Sequence, residues 1–386
     1  MASAASPSSR PVGSKPTAVH CTLLGAGIVI VEGLTNLDQI RNEKVTFIAL
    51  PLKVARGDGA PVRALAIAAG AVGCTQNPSY TWKMLNHETG KDHALALLDE
   101  TLAESADDNQ VECILQRKLV KRIADEFMTV YERTNGAHGY VSIQGDPIHE
   151  EDPAVIIEEG RRNREMSPNI MIKIPATKAG LEAMGTLIAE NTLLNATEVM
   201  GLSQVIDVCE MYEKITAKTG TRPVMYYSLI TGIYDEWLQK EVAAQGITIS
   251  PDILYQAGMV IAKKVYRFVH DHGYPPGFIG GGVRGLQHFT EMVGGDVCIT
   301  MNWLGHADEL LELDQPVVAR LFNPVQDHVL DELLGKVPAF RQAYMEDGLK
   351  LEEYEEYGPV EYFRDMFVSA WENTLELIKE RRAALA

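Results

Sequence analysis

The sequence has few of the residues that build disulfide frameworks, zinc sites or membrane spans. Its 386 residues include five cysteines, which are odd in number, scattered and never arranged as CxxC: Cys21, Cys74, Cys113, Cys209 and Cys298. This spacing argues against disulfides and bound metal, and it is typical of a reducing cytoplasm. The apolar run over residues 23–31 is too short to cross a bilayer. We therefore expect a cytoplasmic protein with no metal and no membrane partner.

Basic residues are scarce relative to acidic ones. The chain has 35 Lys and Arg against 53 Asp and Glu, which gives a formal net charge of -18. Such a surface repels phosphate backbones, so we expect no nucleic-acid partner. The run Gly280, Gly281 and Gly282 lacks the spacing of a dinucleotide-binding turn, and we expect no cofactor.

From about residue 46, short apolar runs alternate with longer amphipathic stretches. We predict strands near residues 47–52, 71–75, 139–144, 170–174, 193–197, 223–228, 277–281 and 296–300. Strands that alternate with helices predict a parallel α/β sheet, and eight such units most simply close into a (β/α)8 TIM barrel.

The rest of the chain is predicted to be helical or irregular. Residues 253–269 show the helical period, between an N-cap at Ser250-Pro251 and a stop near Gly273. Residues 1–18 are rich in Ala, Ser and Pro and predict a flexible arm, with a transit peptide as the alternative. We assign residues 19–310 to the barrel. Residues 311–386 form a C-terminal helical extension on its outside or over its mouth, with helices over 321–348 and 359–383.

Lys173 interrupts a strand that otherwise has a buried sequence, Ile170 to Ile174. Side chains alternate along a strand, so the three isoleucines share one face and Lys173 lies on the other. We expect the isoleucine face to contact helices and Lys173 to point into the barrel, near the strand end where barrel active sites lie. Burial favours the neutral amine, which can attack a carbonyl. The alternative is a lysine that reaches solvent or pairs with a structural acid.

Polar side chains recur on the same face of other predicted strands. They are Ser142 and Gln144, Asn195 and Thr197, Tyr226 and Ser228, and Asn77 just after the second strand. Any one of them could be satisfied inside an ordinary core. Five strands that each supply polar groups to one interior predict a wet cavity instead, because every buried polar group needs a partner.

At this point the sequence resembles a known family. Met171 to Thr177 (MIKIPAT), Thr75 to Ser79 (TQNPS), Asn195-Ala-Thr197 with Ser203-Gln204, and Gly280 to Arg284 (GGGVR) are similar to transaldolase motifs. The resemblance covers roughly residues 70–305. It implies a Schiff-base aldolase of carbohydrate metabolism, in the pentose phosphate pathway.

The resemblance also implies roles for individual residues. Lys173 would form an imine with a ketose donor, and Thr197 would position a water that carries protons. Asn77 and Asn195 would bind donor hydroxyls, and Ser228 would line the donor site. Arg284 would bind a substrate phosphate with bidentate hydrogen bonds. By strand alternation, Ser142 and Tyr226 line the same cavity.

The chain departs from the transaldolase pattern at three positions. Gln144 stands where transaldolases carry a glutamate, as in fructose-6-phosphate aldolases, so it can orient water but cannot ionise. Ile233 stands in place of an arginine that helps to hold phosphate. The first predicted strand lacks the expected aspartate; the candidates are Asp58 in the following loop, or Glu32 if residues 28–31 are the first strand.

These departures leave three functions open. The first is transfer of a dihydroxyacetone unit between sugars. The second is simple aldol cleavage or addition on a non-phosphorylated or differently charged sugar. The third is a barrel that binds sugar without turnover. In each case the expected partner is a small sugar or sugar phosphate, and a homo-oligomer is compatible with the sequence.

Overall fold

A single parallel sheet forms the centre of the computed structural model, which describes residues 70–312 and 317–385. Its seven strands are β1 (Gly73–Thr75), β2 (Tyr140–Gln144), β3 (Ile170–Pro175), β4 (Leu194–Val199), β5 (Met225–Leu229), β6 (Gly277–Gly280) and β7 (Val297–Ile299). Each strand pairs in parallel with the next one along the chain. The Oγ1 atoms of Thr75 and Thr300, at opposite edges of the sheet, are 3.4 Å apart, so the sheet curls round on itself.

Seven of the eight predicted strands are confirmed. The predicted strand near residues 47–52 lies outside the described residues, as do the predicted arm and the candidate acids Asp58 and Glu32. The structure therefore describes a curled seven-stranded α/β sheet.

Helices connect the strands and cover the outer face of the sheet. Before β5 these are α1 (Ser79–Leu85), α2 (Lys91–Thr101), α3 (Asp108–Arg133), α4 (Pro153–Arg164), α5 (Lys178–Ala189) and α6 (Leu202–Thr219). After β5 they are α7 (Thr231–Ala244), α8 (Pro251–Leu254), α9 (Ala257–His272), α10 (Gln287–Thr290), α11 (Asp308–Glu312), α12 (Asp327–Lys336), α13 (Pro338–Tyr344) and α14 (Gly358–Leu385). In the described ranges, none of these helices is both long and apolar enough to cross a membrane.

The outer face of β3 packs as its sequence predicts. A side chain added at Gly160 of α4 would lie 3.4 Å from Ile172 and 2.9 Å from Leu187 of α5. Ile174 lies beside Gly180 at the start of α5. The isoleucine face therefore contacts the helices, and Lys173 lies on the opposite face.

The prediction of one continuous helix over residues 253–269 is wrong. The chain forms α8 and α9, separated by Tyr255 and Gln256. The backbone N–H of Gly258 donates to the Asp235 carboxylate at 2.7 Å, so a side chain from α7 satisfies the first turn of α9. The end of α9 is as predicted: Gly273 takes a left-handed conformation with φ of 69°.

The C-terminal helix α14 crosses the carboxyl end of the sheet. It packs against α1, α3 and α7 and also contacts β4. The indole N–H of Trp371 donates to Asn109 at 2.7 Å, and Arg381 forms a two-bonded ion pair with Asp99. The single helix predicted over residues 321–348 is instead α12 and α13, which meet where Pro338 begins the second.

Candidate functional site

Lys173 lies on the inner face of the sheet, two residues before the end of β3. Its Cα is in register with Gln144 of β2 and with Asn195 of β4. The residue is 7% exposed, and the ring of Phe367 from α14 lies 5.7 Å from its Nζ. The inward orientation predicted for Lys173 is confirmed, and α14 covers the amine.

Burial changes the protonation of this amine. It lowers the pKa of Lys173 to about 8, against the opposing attraction of Glu198 and Glu150. At pH 7 about a tenth of such amines are neutral, compared with a few in ten thousand for an ordinary lysine. The site therefore supplies the form of lysine that can attack a carbonyl.

The polar residues predicted to share this cavity are brought together. Ser142, Gln144, Asn195, Thr197 and Ser228 are each at most 3% exposed. Ser228 donates to the amide oxygen of Asn195 at 2.8 Å. Four other buried atoms have no hydrogen-bond partner among the described residues: Ser142 Oγ, Gln144 Oε1, Asn195 Nδ2 and Thr197 Oγ1. Buried polar atoms are normally paired, so this cluster is typical of a site that binds a polar ligand.

Sequence reasoning missed Glu198, the buried carboxylate of this cavity. Strand alternation from Asn195 and Thr197 places it on the outer face. In the structure the β4 register shifts between Ala196 and Val199, and Glu198 has a φ of 56°. A bulge of this kind redirects a side chain. Glu198 is fully buried, and Gln144 Nε2 donates to its Oε1 at 2.8 Å. The available signal was a glutamate inside an otherwise uncharged buried strand.

Gln204 of α6 holds this bulge in place. Its side-chain oxygen accepts from the N–H of Met200 at 2.8 Å, and its Nε2 donates to the carbonyls of Ala176 and Glu198 at 3.0 and 3.1 Å. A left-handed conformation at a residue other than glycine costs about 1–3 kcal/mol, and it persists only where the surroundings fix it. Here Gln204 supplies two direct restraints, at Glu198 and Met200, and ties the bulge to Ala176 after β3.

The acidic groups near Lys173 are unusually hard to ionise. Burial raises the pKa of Glu198 to about 7, although the Gln144 hydrogen bond and the charges of Lys173 and Arg364 oppose the rise. Burial and the nearby Glu198 likewise raise the pKa of Glu150 well above its usual value, against the attraction of Arg364. An amine and a carboxyl group that both titrate near neutral pH therefore share one buried cavity.

Local sequence explains how the turn after β3 is formed. Thr177 Oγ1 accepts from the N–H of Gly180 at 3.1 Å, which caps the start of α5. Glycine is required at 180 because an added Cβ would overlap the carbonyl oxygen of Pro175. This part of the MIKIPAT segment therefore fixes the direction in which the chain leaves the end of β3.

Two residues at the carboxyl ends of β1 and β2 shape turns. Asn77 is half-buried and accepts from the N–H of Ser79 at 3.1 Å, at the start of α1. Asp146 accepts from the N–H of Ile148 at 2.8 Å and from Asn109 at 2.7 Å. Asp146 thus fixes the turn that follows β2.

Two further predicted substrate-binding residues, Tyr226 and Arg284, have other contacts in the structure. Tyr226 packs near the amino ends of the strands, with its ring 6.5 Å from that of Tyr140. Arg284 is partly exposed and donates to Glu236 at 2.6 Å. Although burial opposes it, hydrogen bonds from Tyr362 and Arg284 lower the pKa of Glu236 to about 2. Arg284 therefore has a carboxylate partner already.

Comparisons with known proteins agree with this architecture. The family model described as Transaldolase/Fructose-6-phosphate aldolase matches residues 55–316. Transaldolase 1 of Streptomyces avermitilis is 30% identical over 187 residues, which is 48% of this chain and 49% of that protein. Transaldolase 1 of Streptomyces coelicolor is 34% identical over 143 residues, 36% of this chain and 37% of that protein. The transaldolase of Mycolicibacterium smegmatis is 32% identical over 143 residues, 36% and 38% of the two chains.

These alignments span about half, or less, of the length of the curated relatives. The carboxyl transferase domain of Rhizobium etli pyruvate carboxylase overlaps 85% of this chain and 54% of its own, at 11% identity and a TM-score of 0.26, which is too weak a likeness to bear on the fold. The family model, by contrast, covers most of the chain and includes every element from β1 to β7. The chain therefore belongs to the transaldolase/fructose-6-phosphate aldolase family.

Proposed function

We propose that this protein is a Schiff-base aldolase of the transaldolase type, with Lys173 as its nucleophile. The observation that supports this most strongly is the buried amine of Lys173, whose pKa is lowered to about 8. It lies among buried polar atoms that have no hydrogen-bond partner among the described residues. A purely structural lysine would be expected to form a direct ion pair. Among the described residues, no carboxylate oxygen lies within 4.0 Å of Lys173 Nζ.

In this proposal the reaction begins at the ketone carbon of a ketose donor. The neutral Nζ attacks that carbon, and loss of water gives an iminium ion. The iminium accepts electrons from the sugar bond that breaks, which releases an aldehyde and leaves an enamine on Lys173. The enamine then attacks an acceptor aldehyde, and hydrolysis frees the product. Asp58 remains our candidate to accept the hydroxyl proton during cleavage.

Side chains around Lys173 would hold the donor in place. Asn195, Ser228 and Asn77 would bind its hydroxyls, and Ser142 would line the cavity beside them. Thr197 and Gln144 would orient the water that carries protons. Tyr226 would contribute to the floor, because it lies two residues before Ser228 on the same strand.

A lyase is the second candidate, and two observations favour it. Gln144 matches the fructose-6-phosphate aldolase branch, and Ile233 is a buried apolar residue where transaldolases hold phosphate. The proposed phosphate ligand Arg284 would have to leave Glu236, or share it, to bind an anion. A non-phosphorylated or weakly held substrate is consistent with this arrangement.

We also propose that the curled sheet closes into a (β/α)8 barrel, with the eighth strand supplied by the segment predicted near residues 47–52. The curl of the described sheet supports it, since the edges at β1 and β7 face each other. The eighth strand would enter between these edges and separate Thr75 from Thr300, whose Oγ1 atoms are 3.4 Å apart. Hydrogen exchange provides the test. Amides of residues 47–52 should exchange as slowly as those of β3 and β4, and rapid exchange there would contradict an eighth strand.

Borohydride trapping tests the lysine chemistry directly. The protein is reduced in the presence of dihydroxyacetone or fructose 6-phosphate, and intact mass and peptide mapping locate the adduct. We expect a single adduct on Lys173 that is lost in Lys173→Ala and kept in Lys178→Ala, an exposed lysine five residues further on. Substantial turnover in Lys173→Ala would contradict the proposal.

Acceptor dependence separates transferase from lyase. With fructose 6-phosphate alone, a transferase forms little free dihydroxyacetone, and an added aldehyde acceptor takes up the dihydroxyacetone unit as a new ketose. A lyase releases free dihydroxyacetone without an acceptor. Arg284→Met should raise the KM of a phosphorylated substrate and leave that of its non-phosphorylated analogue unchanged. An equal change in the KM of both substrates would show that Arg284 does not bind the phosphate.

A further inference from the structure

Glu198 lies in the Lys173 cavity only because the backbone of β4 is distorted at that residue. Its left-handed φ of 56° and the register shift beside it turn the carboxylate toward Gln144. The conformation is one that side-chain-bearing residues rarely adopt, and Gln204 stabilises it from α6. Strained residues of this kind concentrate at functional sites. The position of this carboxylate therefore calls for a chemical explanation.

The carboxylate has one fixed oxygen and one free one. Oε1 accepts from Gln144, while Oε2 is buried and has no hydrogen-bond partner among the described residues. The charged groups that face Glu198 come from three elements: Lys173 on β3, Glu150 in the segment after β2, and Arg364 on α14. Oε2 is thus a buried acid or base site close enough to the Lys173 amine for the two charges to interact, and no hydrogen bond occupies it.

Building on the proposed function, we propose that Glu198 is the proton donor and acceptor for imine formation at Lys173, a task that the glutamine at position 144 cannot perform. In the dehydration step, the carbinolamine hydroxyl takes the proton from the Glu198 carboxyl group and leaves as water. The lone pair of the Lys173 nitrogen then forms the C=N bond. The products are a protonated imine, one water and a Glu198 carboxylate. Hydrolysis runs the same transfer in reverse.

The protonation behaviour of Glu198 suits this step. Since burial raises its pKa to about 7, both the acid and the carboxylate are populated near neutral pH. General acid–base catalysis is most effective when the group titrates near the working pH. The neutral amine of Lys173 becomes more abundant as pH rises, and the acid form of Glu198 becomes less abundant. The rate of imine formation should therefore pass through a maximum between about pH 7 and pH 8.

A simple counter-ion role for Glu198 predicts the opposite effect of removing it. Loss of the negative charge would lower the pKa of Lys173 further and increase the neutral amine at pH 7. A counter-ion variant would then form the imine faster. A proton-transfer role requires that the same variant form it more slowly.

The test is time-resolved borohydride trapping with dihydroxyacetone, run from about pH 6 to pH 10. We expect Glu198→Gln to slow adduct formation at Lys173 by about 100- to 10,000-fold and to abolish the decline at alkaline pH. Glu112→Gln, which changes a fully buried glutamate of α3 outside the cavity, is the control and should match the unaltered protein. A Glu198→Gln rate equal to or above that of the unaltered protein would overturn the proposal.

A second variant decides the question if Glu198→Gln does not fold. Glycine suits the left-handed backbone, so Glu198→Gly removes the carboxylate without adding strain. Adduct formation in this variant should be slow, and added formate should restore part of the rate by supplying a carboxyl group. A normal rate without formate, or no response to formate, would count against Glu198.

The outcomes also separate this proposal from the one it rests on. An adduct in the unaltered protein with normal rates in both Glu198 variants would reject Glu198 alone. No adduct in the unaltered protein, with either dihydroxyacetone or fructose 6-phosphate, would reject the Schiff-base function and the role of Glu198 together.

Discussion

Gln144 Nε2 donates to Glu198 Oε1 at 2.8 Å, although the strand that carries Lys173 lies between the strands of the two residues. The pair thus joins β2 to β4 across the inner face of β3. The amide provides a fixed donor to one carboxylate oxygen and leaves the other free. At position 144 the transaldolase pattern has a glutamate. In this chain Gln144 stands there, and the carboxylate beside it comes from Glu198 on β4.

A second carboxylate at position 144 should change how the site titrates. In Gln144→Glu, two carboxyl groups would lie within hydrogen-bonding distance and could not both ionise easily. The pair would keep one proton to higher pH, so the alkaline decline in the rate of imine formation should move upward by about one pH unit or more. Trapping rates between about pH 6 and pH 10 measure this shift. An unchanged profile would place Gln144 outside the proton path.

Exchanging the two side chains provides a matched control. The double variant Gln144→Glu/Glu198→Gln keeps one carboxyl group and one amide in the same contact. If proton transfer needs a carboxyl group at either position, the double variant should form the adduct faster than Glu198→Gln alone. A rate no higher than that of the single variant would show that the carboxyl group must come from the bulge.

Replacement of Gln204 should destabilise the protein. Gln204→Leu leaves the N–H of Met200 and the carbonyls of Ala176 and Glu198 without their partners in a buried place. Each such loss costs about 1–3 kcal/mol, so we expect a decrease of about 3 kcal/mol or more in the free energy of unfolding. Urea denaturation measures it. Gln245→Leu, at an exposed position, should change the value by less than about 0.5 kcal/mol.

Two glycines of α5 should respond in opposite directions to alanine. In Gly180→Ala, the new methyl group would overlap the Pro175 carbonyl, and we expect a loss of about 2–3 kcal/mol in the free energy of unfolding. At Gly185 the nearest atom is 3.9 Å away, in Ile215. Gly185→Ala should stabilise the helix by about 0.5–1 kcal/mol. Thermal and urea unfolding of both variants would show the contrast, and equal shifts would contradict the close approach at Gly180.

Glu112 should make stability depend on pH. Burial raises its pKa well above the ordinary value, and both of its carboxylate oxygens are buried without a hydrogen-bond partner among the described residues. The stabilising contribution of the protonated form is complete below the unfolded pKa of about 4.5 and is lost as pH rises toward the folded pKa. Glu112→Gln removes this loss. The free energy of unfolding of the variant minus that of the unaltered protein should therefore be larger at pH 8 than at pH 5, by up to about 1.4 kcal/mol for each pH unit by which the pKa of Glu112 is raised. Urea unfolding of both proteins at the two pH values measures this difference. A difference that is the same at both pH values, or larger at pH 5, would contradict the prediction.

Much of the site could be predicted from the sequence, because the orientation of its side chains depends on residues that are neighbours in the sequence. The apolar runs and the alternation within them locate seven strands and orient Lys173, Asn195 and Thr197 inward. The MIKIPAT segment carries the threonine that caps α5 and the glycine that its turn requires. The remaining parts depend on long-range contacts. Asp235 satisfies the start of α9 from a helix more than twenty residues earlier, which no period in residues 253–269 could indicate.

The sequence by itself determined the order of the strands, the inner and outer faces of β3 and the family of the chain, since alternation and turn chemistry depend on neighbouring residues. The tertiary structure decided that Glu198 faces Lys173, that Phe367 covers the amine and that Arg284 pairs with Glu236. The physical reason is that a bulge reverses strand alternation at one residue. Helix α14, in turn, lies far from β3 in the sequence, so no local pattern indicates that Phe367 covers Lys173.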